Sequence, residues 1–315
     1  MVKYRPVDVE SMPKFGGVRT FMRLPHVRTL EDVDFVVVGI PFDDATTYRS
    51  GARFGPEGIR STSVMIRPWH PVHDINIFDH LSGVDYGDIP VVPGHVEDTY
   101  ERTMKEYKAI AEAGVTPFSM GGDHSVTLGE LRGLADVHGP LALVHFDAHV
   151  DTSEGQNGKM YDHGTPFRRA SEEELVDTSR SIQIGIRGGR GGPDYYQQSR
   201  DMGYDVVSMD EFEQLGVPAV VERIHKRVGD APCFITIDID SIDPAYAPGT
   251  GTPEVGGFTS REILNLVRGL KGLNMKGGDV LEVIPALDPA GITAFLGANL
   301  LFEMICLKAL SHRGG

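Results

Sequence analysis

Short apolar runs recur along the chain, and several stretches between them carry apolar residues at helical spacing. Phe35–Ile40 (FVVVGI) ends in Gly39-Ile40-Pro41 and predicts a strand buried on both faces. Tyr100, Met104, Tyr107 and Ala111 fall on one helical face that ends near Gly114. Residues 116–120 predict a second strand, closed by Gly121-Gly122, and a helix follows across 127–137. Residues 141–146 predict a third strand, and Ile182–Ile186, 206–209, 234–239 and 279–283 continue the series. Between two of these, residues 217–228 place Val220, Val221, Ile224 and Val228 on one helical face. A last helix runs from near Gly291 to about Leu310. Strands alternating with helices predict an α/β domain around a mainly parallel sheet. In such sheets ligands bind beyond the carboxyl ends of the strands.

Composition narrows the setting. A chain of 315 residues can bury a large core, so it needs no disulfides or structural zinc to fold. No linker, repeat or low-complexity stretch divides it, so residues 1–315 are expected to form one domain with an N-terminal extension over about 1–30. Cys233 and Cys306 lie far apart, which predicts a reducing, cytoplasmic setting without a disulfide framework. The formal net charge of −15 opposes nucleic acids and anionic membranes and favours cationic ligands. Solubility alone is the competing explanation of that charge. Residues 1–19 carry scattered charges and no secretory signal. No stretch is expected to approach the roughly 20 apolar residues of a membrane span.

Three predicted strand ends are dense in metal-binding side chains. Asp147-Ala148-His149-Val150-Asp151 follows the third strand, Asp238-Ile239-Asp240 closes the sixth, and Gly121-Gly122-Asp123-His124 follows the second. Alternate residues of extended chain face the same way, so Asp147 and His149, and Asp238 and Asp240, would point together. Carboxylates at buried strand ends are costly unless cations neutralise them. Mixed carboxylate and imidazole donors suit Mn, Fe, Ni or Zn better than Ca or Mg. A single Asp after a strand is usually a cap or turn residue, and Asp123, Asp162 and Asp243 are open to that explanation.

Gly121-Gly122-Asp123-His124-Ser125, Asp147 to Asp151, and Asp238-Ile239-Asp240-Ser241-Ile242-Asp243-Pro244 resemble, in order, the signature blocks of the ureohydrolases, the arginase and agmatinase family. Ala247-Pro248-Gly249-Thr250-Gly251-Thr252-Pro253-Glu254, Gly51-Ala52-Arg53-Phe54-Gly55-Pro56 and Asp162-His163-Gly164-Thr165 are similar to its agmatinase and guanidino-acid hydrolase branch. The likeness runs from about Phe15 to Leu307. It implies a three-layer α/β/α sandwich with a central, mostly parallel eight-stranded sheet. It also implies two Mn²⁺ per subunit, with Ni²⁺ in some relatives. One ion would be bound by His124, Asp147, Asp151 and Asp238, the other by His149, Asp147, Asp238 and Asp240. By the same resemblance Asp151 would orient the attacking water, His163 would shuttle a proton to the leaving amine, and Glu282 would grip the guanidinium. The products would be urea and an amine, the partners a small cationic guanidino substrate and further copies in a trimer or hexamer.

Agmatine is the substrate expected first, since the acidic chain and the segment around Asp151 and Tyr161 resemble agmatinases. Guanidinobutyrate, guanidinopropionate or another substituted guanidine or biguanide is the alternative. Arg168 and Arg169 resemble guanidino-acid hydrolases and could receive a carboxylate, although solvated helix-start charge is the plainer explanation. Two stretches depart from the family: Ile284-Pro285-Ala286-Leu287-Asp288 lacks a usual aromatic, and residues 153–161 belong to a variable entrance segment. His145 reads as a core or supporting residue, and Trp69 as a wall or interface residue. His70, His73 and His80 share no strand or helical face, which speaks against a further metal site. Competing readings are a one-metal deacetylase of similar fold, against which GGDH and HGT argue, and an inactive subunit of a mixed oligomer, which should have lost ligands.

Overall fold

The apolar runs form strands whose side chains alternate between two buried layers. The computed structural model describes residues 2–8, 10–189, 192 and 194–313. Its strands are β1 (Phe35–Ile40), β2 (Trp69–His70), β3 (Ile75–Asn76), β4 (Gly83–Asp88), β5 (Thr116–Gly121), β6 (Ala142–Phe146), β7 (Ile182–Ile186), β8 (Asp205–Ser208), β9 (Pro232–Asp238) and β10 (Asn274–Leu281). Its helices are α1 (Gly55–Ser63), α2 (Val96–Glu112), α3 (Thr127–His138), α4 (Pro166–Glu172), α5 (Tyr195–Asp201), α6 (Met209–Val228), α7 (Ser260–Gly269) and α8 (Ile292–Arg313). Eight strands pair in the order β4-β1-β5-β10-β9-β6-β7-β8, each neighbouring pair parallel. β2 and β3 form a separate antiparallel hairpin.

Period-two alternation builds the sandwich. Phe35 and Val37 of β1 enter one apolar layer with residues of α1, α6, α7 and α8. Val36 and Val38 enter the other, with residues of α2, α3 and α4. The expected eight-stranded α/β/α sandwich is what the chain forms.

Four details differ from the sequence reading. The eighth strand is β4, whose GVDYGD lacks an apolar run because Asp85 sits in the interior. Arg60 neutralises it through a two-pronged pair at 2.8 and 2.9 Å. The helix expected at 217–228 is the second part of α6, which bends at Gly216 (φ 72°) ahead of Pro218. The strand expected at 279–283 begins earlier, at Asn274, and ends at Leu281. The expectation about membrane-length stretches is also corrected: Pro289–His312 is long and apolar enough by length and composition. It is mostly buried within the fold, because α8 packs between α1, α7 and β10.

Candidate metal centre

The four strands at the middle of the sheet, β5, β10, β9 and β6, deliver the chemistry from their carboxyl ends. β5 runs into Gly122, where a Cβ would fall 1.6 Å from the Phe42 carbonyl oxygen, so only glycine fits. Asp123 then caps the following turn by accepting from Ser125 N–H at 3.0 Å and Ala45 N–H at 2.9 Å. That turn carries His124 inward with no exposed surface. β6 delivers Asp147, His149 and Asp151; β9 ends at Asp238, with Asp240 two residues on. β10 delivers Glu282. Asp151 (φ 47°) and Glu282 (φ 61°) both hold left-handed backbone, a strain of about 1–3 kcal/mol each that the surrounding fold must offset.

These side chains converge. His124 Nδ1 lies 3.0 Å from Asp147, 3.0 Å from Asp151 and 3.3 Å from Asp238. Yet it is a buried nitrogen with no hydrogen bond, because it points among the three oxygens and along none of them. His149 Nδ1 lies 3.2 Å from Asp240 and 3.4 Å from Asp147. Asp147 therefore turns Oδ2 to one histidine and Oδ1 to the other. The second oxygen of Asp238 accepts Asp240 N–H at 2.8 Å.

Charge decides what this arrangement needs. Burial opposes charge on His124, but Asp147, Asp151 and Asp238 raise it well above the ordinary histidine range. Burial, then Asp240 and Asp147, push Asp238 well above the carboxylate range. Burial carries Asp240 to about 6 against the pull of His149. Left to itself, the cluster draws in protons. A divalent cation answers the same need with an open donor shell, and the carboxylate and imidazole donors fit one. Two groups can be drawn from these residues, around His124 and around His149, sharing Asp147.

His145 falls outside the donor set. Gln183 gives one amide proton to the Val150 carbonyl at 2.6 Å and the other to His145 Nδ1 at 3.0 Å. His145 must then carry its proton on Nε2, which donates to Asp147 at 2.7 Å. It is the supporting residue expected from its place inside a strand.

Beside the cluster, His163 and Glu282 pair. His163 Nδ1 donates to Glu282 Oε1 at 2.8 Å, and the same oxygen accepts His124 N–H at 3.0 Å. Glu282 Oε2 is buried without a partner. On the other side, His163 Nε2 meets Thr47 N–H at 3.2 Å and the Thr47 hydroxyl at 2.7 Å. Neutral, this nitrogen accepts; charged, it donates to the hydroxyl. Burial opposes the charge on His163, but Glu282 outweighs it and raises the imidazole to about 9. A cavity of about 440 Å³ opens here, lined by Thr47, Arg49, His149, Gln156, Thr252 and Glu254 among others.

Other expectations resolve individually. Asp162 accepts Gly164 N–H at 2.8 Å, and Asp243 accepts Ala245 N–H at 2.8 Å, so both shape loops as Asp123 does. Arg168 and Arg169 are neither solvated nor aimed at the cavity. Arg168 donates to the Thr152 carbonyl at 2.9 Å; Arg169 pairs with Glu172 inside α4 at 2.7 Å and donates to the Glu154 carbonyl at 3.3 Å, tying α4 to the entrance segment. Trp69 is half exposed on the β2–β3 hairpin. His70 and His73 do meet, with Glu303 in place of His80.

Sequence reasoning missed Thr47, Gln183 and Arg187, whose partners are far away along the chain. Arg187 donates to the carbonyls of Asp240 and Glu254, both at 2.7 Å, and so pins two loops of the site. No short motif marks it.

Comparison with known proteins gives consistent matches. The arginase family model matches residues 33–306. Guanidinopropionase of Pseudomonas aeruginosa is 45% identical, covering 98% of this chain and 96% of its own. Mitochondrial agmatinase of Gallus gallus is 44% identical, covering 96% and 89%. The solved structure of proclavaminate amidino hydrolase from Streptomyces clavuligerus superposes with a TM-score of 0.92 at 42% identity, covering 95% of this chain and 99% of that one.

Proposed function

The chain belongs to the arginase family and is a hydrolase of C–N bonds in guanidino compounds, and on that premise we propose that it releases urea from agmatine at a pair of Mn²⁺ ions. The observation that carries this reading is the unpartnered His124 Nδ1 among three carboxylate oxygens, beside a second histidine that shares Asp147. His124, Asp147, Asp151 and Asp238 would hold one ion; His149, Asp147, Asp238 and Asp240 the other. When bound, such a pair lowers the pKa of water so that a nucleophile exists at neutral pH.

The protein's own groups do the rest. Glu282 Oε2, buried and free, accepts N–H from the guanidinium, whose positive charge matches the carboxylate. Asp151, held by its left-handed backbone, aligns the attacking water. His163, whose hold on a proton Glu282 strengthens, gives that proton to the departing amine nitrogen. Burial of these groups keeps bulk water from screening the charges.

Agmatine is supported by Glu254 at the cavity mouth, 3.7 Å from His149 Nε2, and by the chain's net charge of −15. A second reading, a guanidino acid such as guanidinobutyrate or guanidinopropionate, is supported by Arg49 at the same mouth. It is also supported by Lys159, which lines a neighbouring cavity of about 330 Å³. Two buried, unpaired cysteines support a reducing cytoplasm. A trimer or hexamer completes the reading. The test is urea release by Mn²⁺- and Ni²⁺-loaded protein from agmatine, guanidinobutyrate, guanidinopropionate, arginine, guanidine and a biguanide. Preference for agmatine supports the first reading and preference for an acid the second; no urea from any of them rejects both.

A further inference from the structure

The N-terminal extension lines a cavity of its own. It measures about 530 Å³, within the range of small-molecule pockets, and shares no lining residue with the cavity at the metal centre. Four cationic side chains line it: Arg5, Lys14 and Arg23 from the extension, and Arg67 from the segment before the β2–β3 hairpin. Val64, Ile66 and Phe78 give it an apolar wall. Asp8 and Asp79 also line it, yet among the described residues none of the four cations has an ion pair. In a chain with 45 acidic and 30 basic residues, four such cations on one cavity are out of proportion.

Arg23 is the informative one. It is 7% exposed, and its Nη1 is buried without a hydrogen-bond partner. Nη2 donates to the Met12 carbonyl at 2.6 Å and the Asp8 carbonyl at 3.4 Å, so one edge of the guanidinium ties down the extension. Nη1 is left over, and a buried charged donor without an acceptor is costly. The backbone is strained at the same place: Met22 (φ 50°) and Arg23 (φ 63°) are both left-handed. Such strain persists only where neighbours fix it. Here Phe21 N–H donates to Asp85 at 2.8 Å and Met22 N–H to the Ser63 hydroxyl at 2.8 Å, and both partners are buried. The turn therefore sets where the Arg23 side chain leaves the backbone.

Lys14 is turned to the Met65 carbonyl at 3.3 Å, which leaves the three arginines. Arg5 and Arg67 are exposed. A guanidinium offers charge and several N–H groups in one plane, which suits the paired oxygens of a carboxylate or a phosphate. We propose that this cavity binds a small organic oxyanion, a carboxylate or a phosphomonoester. Arg23 Nη1 is its buried anchor, Arg5 and Arg67 are its exposed partners, and Val64, Ile66 and Phe78 meet its hydrocarbon. The site is independent of the metal reading above.

The test is isothermal titration calorimetry of the metal-loaded protein with benzoate and with phenyl phosphate at low salt. It compares the parent with Arg23→Gln and with the double variant Arg5→Gln, Arg67→Gln. Expected is one site per chain whose dissociation constant rises roughly 10–100-fold in Arg23→Gln, and by less in the double variant, whose partners are exposed. Urea release without added anion should be parent-like in both. Tighter benzoate supports a carboxylate ligand and tighter phenyl phosphate a phosphate. If Arg23→Gln does not fold because the extension comes loose, the double variant decides it. No binding of either probe would overturn the proposal and leave Arg23 a clamp for the extension. Binding that neither set of substitutions weakens would also overturn it, placing the probe elsewhere, as at the metal centre. So would a fall in oligomer mass in the double variant with no anion bound to the parent, which would make the cavity a contact between copies of the chain.

Discussion

Among the described residues, one cluster of histidine and carboxylate lies at the sheet's centre and another under the β2–β3 hairpin, and they differ in how their charge is balanced. At the sheet's centre, His124 and His149 face Asp147, Asp151, Asp238 and Asp240. Under the β2–β3 hairpin, His70 and His73 face a single carboxylate, Glu303. The second cluster has its own cation: Arg268 donates to Glu303 Oε1 at 2.8 and 2.5 Å. Its tautomer is also wrong for a metal at that nitrogen. His70 Nδ1 accepts His73 N–H at 3.1 Å, so Nε2 carries the proton and gives it to Glu303 at 3.0 Å. In the first cluster His124 Nδ1 faces three carboxylates; in the second His70 Nε2 and His73 Nε2 face a single one, which Arg268 already pairs. Donor types are alike, and charge balance separates a metal centre from a clamp.

The comparison can be broken at either cluster. The largest effect is expected from His149→Ala, which should lower urea release on the order of a thousandfold and reduce bound metal together. Retained activity with full metal content would remove His149 from the centre. Next, Glu303→Ala should destabilise the fold by about 3 kcal/mol, because Arg268 and His70 lose their buried partner. Denaturant unfolding measures it, while metal content per folded molecule should stay unchanged. Glu282→Gln should slow turnover roughly a hundredfold with metal content intact; an unchanged rate would take Glu282 out of the site.

Smaller effects come from pH. Burial alone would raise Glu303, but His70, His73 and Arg268 outweigh it and hold the carboxyl at about 2, against 4.5 ordinarily. A depressed acid stabilises the fold above its unfolded pKa. The clamp's contribution should therefore be complete above about pH 4.5 and fade as pH falls toward 2. Glu303→Gln should flatten that part of the stability curve. At the centre the sign concerns metal: protons held by His124, His149 and Asp238 compete with it, so Mn²⁺ affinity should rise with pH. An affinity independent of pH between 6 and 8 would contradict the proton-drawing cluster described above.

The residues of the site were legible because metal chemistry demands rare donor types in short blocks. DAHVD, DID and GGDH each sit at an apolar strand, and a local pattern is enough to find them. β1 and β7 match their runs to the residue, since both faces of each are covered. β4 escaped notice because its buried Asp85 is offset by Arg60, a residue 25 positions earlier. The His70 cluster escaped for a similar reason. Its histidines share no element face, and they meet only because Glu303 arrives on α8, 233 residues beyond His70.

By itself the sequence determined the strand–helix alternation, the histidines and carboxylates that gather at the strand ends, and the guanidino chemistry that the ordered blocks imply. Those depend on residue type and short spacing, which a chain carries locally. Tertiary structure decided which carboxylates meet at His124 Nδ1, that Arg168 and Arg169 are spent on α4 and the entrance segment, and how the charge of each of two clusters is balanced. Charge balance is a sum over partners brought together by folding, as with Asp151 and Asp238, which meet at His124 Nδ1 from different strand ends.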